Sequence, residues 1–217
     1  MKEIDNFLFK STKVLNQIDK KIILKSLKIL KKCQISNGRI FFAGSGGGAG
    51  HASHAANDFR KICNIECYSI TDNVSELTAR INDDGWKSSY SNWLKVSKIN
   101  SKDILFVFSV GGGNEKKRIS QNLVECMKLA KRKKSKIISI VGKNDGYAAA
   151  KSDACIIIPY VSKKYITPLT EGFQAVIWHL LVSHPSLKEN ETKLRFVLFS
   201  CWRLPDGKGL HELLVVE

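Results

Sequence analysis

Two glycine-rich stretches carry the residue types best suited to chemistry. Gly44-Ser45-Gly46-Gly47-Gly48-Ala49-Gly50 and Ser109-Val110-Gly111-Gly112-Gly113-Asn114 each follow a run of apolar residues. Glycines between a strand and a helix let bare backbone N–H groups converge on an anion, and the helix start adds partial positive charge. One such loop is as well explained by a tight turn needing positive φ. Two in equivalent positions point to phosphate. The first also fits the dinucleotide spacing Gly44-x-Gly46-x-x-Ala49, with Glu66 or Asp72 available to a ribose, but that reading leaves the second loop unexplained. Directly after the first loop come His51, His54 and Asp58, whose offsets of three and four fall on one helical face. Imidazoles and a carboxylate gathered there could move protons or hold a metal ion. For His51, an ordinary place on the helix surface is equally open.

The loops need strands to launch them and helices to receive them. Between Glu3 and Cys33, apolar residues recur at helical spacing among lysines, which predicts two amphipathic helices, stopped at Asn37-Gly38. Arg39–Ala43 reads as a buried strand and Ala49–Ile62 as the helix beyond the first loop. Glu66–Ile70 is a second strand, Val74–Ile81 a helix, Asn82–Gly85 a turn and Ser89–Val96 a further helix. The continuous apolar run within Asp103–Ser109 is a third strand, followed by the second loop and a helix over Glu115–Arg132. Lys136–Val141 and Ala154–Pro159 are the fourth and fifth strands, and Thr170–Val182 is a final apolar helix. Strands alternating with helices imply right-handed crossovers, hence an α/β fold with a five-stranded, doubly wound parallel sheet of flavodoxin-like type, preceded by N-terminal helices. In such sheets ligands bind beyond the carboxyl ends of the strands, where both glycine loops lie. Residues 1–38 are read as the helical N-terminal segment, 39–185 as the binding domain and 186–217 as a tail of unassigned role. In the tail, Arg195–Trp202 could be a strand and Pro205–Gly209 a turn.

Composition narrows the classes. The chain of 217 residues suffices for one domain of this kind with a full core. No apolar run is long enough to span a membrane and the charged first ten residues lack a signal-peptide core, so a cytoplasmic location is expected. The six cysteines show no paired spacing and are expected to be reduced packing residues. A formal charge of +15 invites a nucleic-acid partner. Against it, lysine supplies 28 of the 35 cations, and the densest run, Lys128–Lys136, falls at an exposed helix end. No nucleic acid and no membrane is expected as a partner.

The order of GSGGGAGHASHAAND, NDDGW, SVGGGNEKK, VGKNDG and a final core helix resembles the phosphoheptose isomerases of the sugar-isomerase (SIS) domain family, over about Ser11 to Pro185. The resemblance implies a phosphate site at Ser109, Gly111, Gly112, Gly113 and Asn114, with backbone N–H groups doing most of the binding, because Val110, Gly111 and Asn114 stand at family hydroxyl positions. It places Ser45, Gly46, Gly47 and Gly48 in the first loop and Asp83 at an active-site aspartate. His54 and Asp58 fall on a histidine and a glutamate that serve the catalytic or metal site, which implies zinc or another divalent metal. The family's final-helix glutamine and histidine fall on Thr170 and Trp178; Glu171 is retained, and His179 lies one place beyond. One residue turns a side chain by about 100°, so His179 is expected to be a packed core histidine and Thr170 is placed among the substrate contacts. The implied activity is an aldose–ketose isomerisation of a phosphorylated sugar, sedoheptulose 7-phosphate to a heptose 7-phosphate for lipopolysaccharide or capsule. Asp58 or Glu171 would be the proton-transferring carboxylate, in a homodimer or homotetramer. A non-catalytic sugar-phosphate-binding module is the alternative from another class.

Overall fold

Helices α1 (Lys2–Gln17) and α2 (Lys20–Ile35) lead into β1 (Ile40–Gly44), which runs straight into the first glycine loop. Then follow α3 (Gly47–Cys63), β2 (Cys67–Ser69), α4 (Val74–Val96), β3 (Ile104–Ser109), α5 (Gln121–Arg132), β4 (Lys136–Val141), α6 (Tyr147–Lys151), β5 (Ala154–Ile157) and α7 (Ile166–Ser183). This computed structural model describes residues 1–191 and two further strands, β6 (Val197–Leu198) and β7 (Leu214–Val215), which pair antiparallel. The expected strand over Arg195–Trp202 is described only at Val197–Leu198, and the expected turn at Pro205–Gly209 lies outside the described residues.

The sheet is five-stranded and all parallel, in the order β2-β1-β3-β4-β5. Its strands are apolar on both faces because both faces are covered. Ile40, Phe42, Phe106 and Phe108 pack against α2, α3 and α7, in one core with Leu30, Phe59 and Trp178. Phe41, Ala43, Leu105 and Val107 face the other way, against Tyr90, Leu94, Leu123 and Met127 of α4 and α5. Val14, Leu27 and Leu30 of the N-terminal helices belong to the first core, as does Leu187 beyond α7. No described helix is long and apolar enough to cross a membrane.

Two expected boundaries are corrected. The turn at Asn82–Gly85 is helical: α4 continues through it and only kinks at Gly85, where φ is +77°. The helix expected from Glu115 starts six residues later, at Gln121. Asn114 Oδ1 instead accepts the N–H of Lys117, and Asn114 and Ile119 exchange backbone hydrogen bonds, so 114–119 closes as a small turn. Such side-chain-to-backbone bonds offer the chain an alternative to the helical ladder. Of the basic run, Lys128 is paired with Glu115 and Glu125, and Lys136 with Asp153. The free thiols of Cys33, Cys63, Cys67 and Cys126 are buried. Burial pushes Cys33 and Cys63 up to about 12, far from the thiolate state a nucleophile needs.

At the opposite rim from the glycine loops, Asp103 ties the strand starts together. Its carboxylate accepts from the N–H, Nε and Nη2 of Arg39 and from the N–H of Asn100. Asp103 is 1% exposed and Arg39 24%. Asp103→Ala is expected to destabilise the fold by about 2–3 kcal/mol, below the range for a fully buried pair because the guanidinium keeps some water. Calorimetry checks this as a fall in Tm of roughly 5–10 °C.

Candidate functional site

Strands β1 and β3 are neighbours, with Gly44 in register with Phe108. The two glycine loops therefore leave the sheet side by side at one rim. The approach is close: a methyl on Gly48 would stand 2.7 Å from the carbonyl oxygen of Phe108. Gly46 takes φ +59° and ψ −127°, a conformation that only glycine adopts without strain, and α3 begins at Gly47.

In the second loop three carbonyl groups are taken up by the connection from β4 to α6. Val110 O accepts from Gly142 N–H at 2.9 Å, Gly112 O from Ala148 N–H at 2.9 Å and Gly113 O from Tyr147 N–H at 2.8 Å. Ser109 Oγ accepts the Gly112 N–H at 3.0 Å. The N–H groups of Gly111 and Gly113 make no hydrogen bond among the described residues. Ser120, which the sequence reading passed over, adopts a left-handed conformation at the N-cap of α5, and its hydroxyl does not cap the helix. Carbonyls engaged by neighbouring N–H groups, free amides and a helix start make this loop fit for an anion.

The start of α3 is different. The carboxylate of Glu171 lies over it, 2.7 Å from where a Gly47 methyl would be. A carboxylate at the positive end of a helix is favourably placed, and it would repel a phosphate from the same spot. The second loop is thus the better suited of the two to an anion, while the first, which carries the candidate contacts Gly46, Gly47 and Gly48, meets the Glu171 carboxylate at Gly47.

Along α3 and α7 a cluster forms beside Glu171. His54 Nε2 lies 3.7 Å from Asp58 Oδ2, and His179 Nε2 lies 3.9 Å from the same oxygen. Asn57 Nδ2 donates to the other oxygen, Asp58 Oδ1, at 2.9 Å. The ligand atoms of His54, Asp58 and His179 all lie within 4.8 Å of one another. Two imidazole nitrogens and one carboxylate oxygen form a donor set suited to zinc or another divalent cation. His51 is half-buried next to Glu171. Burial lowers its pKa, outweighing the opposing pull of Glu171, so the ring is neutral at pH 7.

His179 corrects an expectation. It is 49% exposed, not packed in the core, whereas Trp178 is 1% exposed. The register of α7 gives the core position to the larger indole and turns His179 toward α3. Thr170 is corrected for the same reason: it is buried, its hydroxyl donates to Ile166 O, and it fills the space left by Gly142. Glu171 and His179 keep the eight-residue separation of Thr170 and Trp178, and they are the pair that faces the site. Asp83 is exposed on α4, its carboxylate accepting from Asn82. Asn114 is engaged in its own turn. Of the ribose candidates, Asp72 accepts from Ser53 and Glu66 from Tyr68.

Known proteins share this fold. The lincomycin biosynthesis protein LmbN of Streptomyces lincolnensis is 29% identical over 160 residues, 69% of this chain; the chain spans 56% of that relative's length. A phosphoheptose isomerase of Cytophaga hutchinsonii is 30% identical over 146 residues, which cover 64% of this chain and 71% of the relative. The structure of phosphoheptose isomerase from Neisseria gonorrhoeae superposes with a TM-score of 0.73, covering 83% of this chain and 96% of that one at 20% identity. No family model matches the sequence. The chain belongs to the sugar-isomerase (SIS) domain family, in which it resembles the phosphoheptose isomerases.

Proposed function

We propose that the protein is a sugar-phosphate aldose–ketose isomerase, like the phosphoheptose isomerases it resembles, with sedoheptulose 7-phosphate as the ketose. The observation that supports this best is the juxtaposition at one rim of a free-amide anion loop, Ser109–Gly113, with a carboxylate and histidine cluster on α3 and α7. A phosphate held by the loop leaves the sugar chain to reach the cluster. There Glu171 removes the proton from the carbon next to the carbonyl and returns it to the neighbouring carbon through an enediolate. General-base catalysis of this kind is worth about 10²–10⁴ in rate. His54, Asp58 and His179 would hold a divalent cation. When bound, that cation would polarise the carbonyl and stabilise enediolate charge. Neutral His51 lines the approach as a hydrogen-bonding group. Ile4, Leu8 and Leu15 on α1 and Val176 and Leu180 on α7 remain exposed, which supports assembly as a homo-oligomer.

Turnover tests the reading. Purified protein with sedoheptulose 7-phosphate and zinc is expected to give an aldose 7-phosphate, detected by mass-matched chromatography or NMR. Glu171→Gln is expected to lower kcat about 10²–10⁴-fold with KM little changed. Stabilisation by sugar phosphate without turnover, read as a ligand-dependent rise in Tm, would instead favour a binding module.

A further inference from the structure

Two polar side chains lie buried behind the first glycine loop. Tyr90 of α4, 1% exposed, donates its hydroxyl to Gly44 O at 2.7 Å. Asn122, fully buried in the first turn of α5, donates from Nδ2 to Ser45 Oγ at 3.2 Å. The rest of that helix face is apolar, with Leu123, Val124, Cys126 and Met127 all buried. Asn122 Oδ1 has no hydrogen-bond partner among the described residues. A buried amide with half its capacity unmet is a poor packing residue where leucine would fit, so its presence calls for an explanation other than packing.

The explanation lies in what Asn122 joins. It sits at the start of the helix into which the second loop leads, and it grips the one hydroxyl of the first loop. The Asn122–Ser45 bond therefore ties the two loops to each other. A serine hydroxyl has two lone pairs and one proton. With Asn122 occupying a lone pair, the proton of Ser45 must go to another acceptor. Among the described residues the phenol oxygen of Tyr90, which neighbours both Ser45 and Asn122, is one such acceptor. Burial raises the pKa of Tyr90, so the phenol keeps its own proton on Gly44 O. An oxyanion on the second loop offers Ser45 a stronger acceptor than a phenol, because a hydrogen bond to a charged group is roughly twice as strong as a neutral one.

We propose that Asn122, backed by Tyr90, is a positioning residue that sets Ser45 as a hydroxyl donor to the oxyanion held by the Ser109–Gly113 loop. This rests on the reading of that loop as a phosphate site. Asn122 does not touch the ligand; its effect passes through Ser45, which makes the two residues a single functional unit.

A double-mutant cycle on the full chain tests this, using the Kd for inorganic phosphate and the KM and kcat for sedoheptulose 7-phosphate. Ser45→Ala and Asn122→Ala are each expected to weaken phosphate binding about tenfold. The double variant is expected to lie within about twofold of either single one. Asn122→Asp, which keeps the shape but can only accept, draws the proton of Ser45 inward and is expected to weaken binding more than Asn122→Ala. KM rises in every case while kcat holds, the signature of a lost binding contact. If Asn122→Ala does not fold, the isosteric Asn122→Asp completes the cycle. Independent, multiplicative losses in the double variant, or an Asn122→Asp that binds phosphate as the parent does, would overturn the proposal. A parent protein that binds neither phosphate nor sugar phosphate would instead sink the phosphate reading of the loops.

Discussion

Asp58→Asn is expected to lower kcat for the sugar phosphate about 10³-fold, the factor that roughly 4 kcal/mol of lost transition-state stabilisation represents. The carboxylate lies between two imidazole nitrogens, at 3.7 and 3.9 Å. It is the only negative charge in that donor set. The asparagine amide has nearly the same shape, yet it presents a neutral oxygen and sets a donor next to rings that need an acceptor. Zinc affinity by calorimetry is expected to fall along with turnover, whereas phosphate affinity, seated on the other loop, is expected to stay near that of the parent. Parallel losses of phosphate and zinc binding would show a collapsed site and not a lost ligand atom. His179→Ala belongs to the same set and is expected to lower zinc affinity, while Trp178→Ala should act through the core, on stability.

Gly44→Ala is expected to be strongly destabilising. An added Cβ at Gly44 would overlap the carbonyl carbon and oxygen of Gly48, both backbone atoms that no rotamer change can move. The start of α3 would have to lift off β1, and with it the loop whose Gly44 carbonyl is held by Tyr90. Overpacking against backbone costs about 3 kcal/mol, which lowers Tm by roughly 6–12 °C in a chain of this size. Gly50→Ala is the matched control. It lies on α3 itself, exposed, with nothing within 4 Å of the added methyl. Relative to glycine, alanine in a helix is stabilising by about 0.5–1 kcal/mol. Opposite signs at two glycines six residues apart would confirm that the close approach, and not glycine content, limits the loop.

Much of the sheet was legible because its strands are apolar on both faces. Ile104–Phe108 could hardly be anything but a covered strand, and each glycine loop marked a strand end. The loops' adjacency also followed from parallel alternation, which puts all strand ends at one rim. Legibility failed where local signals compete with tertiary register. Gly85 carries a turn signal, yet it only kinks α4, whose flanking turns are held by packing of Tyr90 and Leu94. On α7, matching the family's residues by order favoured Thr170 and Trp178; the indole's bulk claims the core, and one residue of rotation brings Glu171 and His179 to the site instead. The contacts of Asn122 with Ser45 and of Tyr90 with Gly44 bridge 77 and 46 residues and cannot be seen in a single sequence. The one signal for Asn122 was an amide placed on an otherwise apolar helix face.

One sugar phosphate is expected to span the two loops with its reactive end at the α3–α7 cluster. A crystal structure with sedoheptulose 7-phosphate bound tests this most directly. Phosphate oxygens are expected at about 3 Å from the N–H groups of Gly111 and Gly113, with C1 and C2 of the sugar facing Glu171, His54 and His179. A phosphate seated elsewhere, or a sugar chain directed away from Asp58 and Glu171, would contradict it.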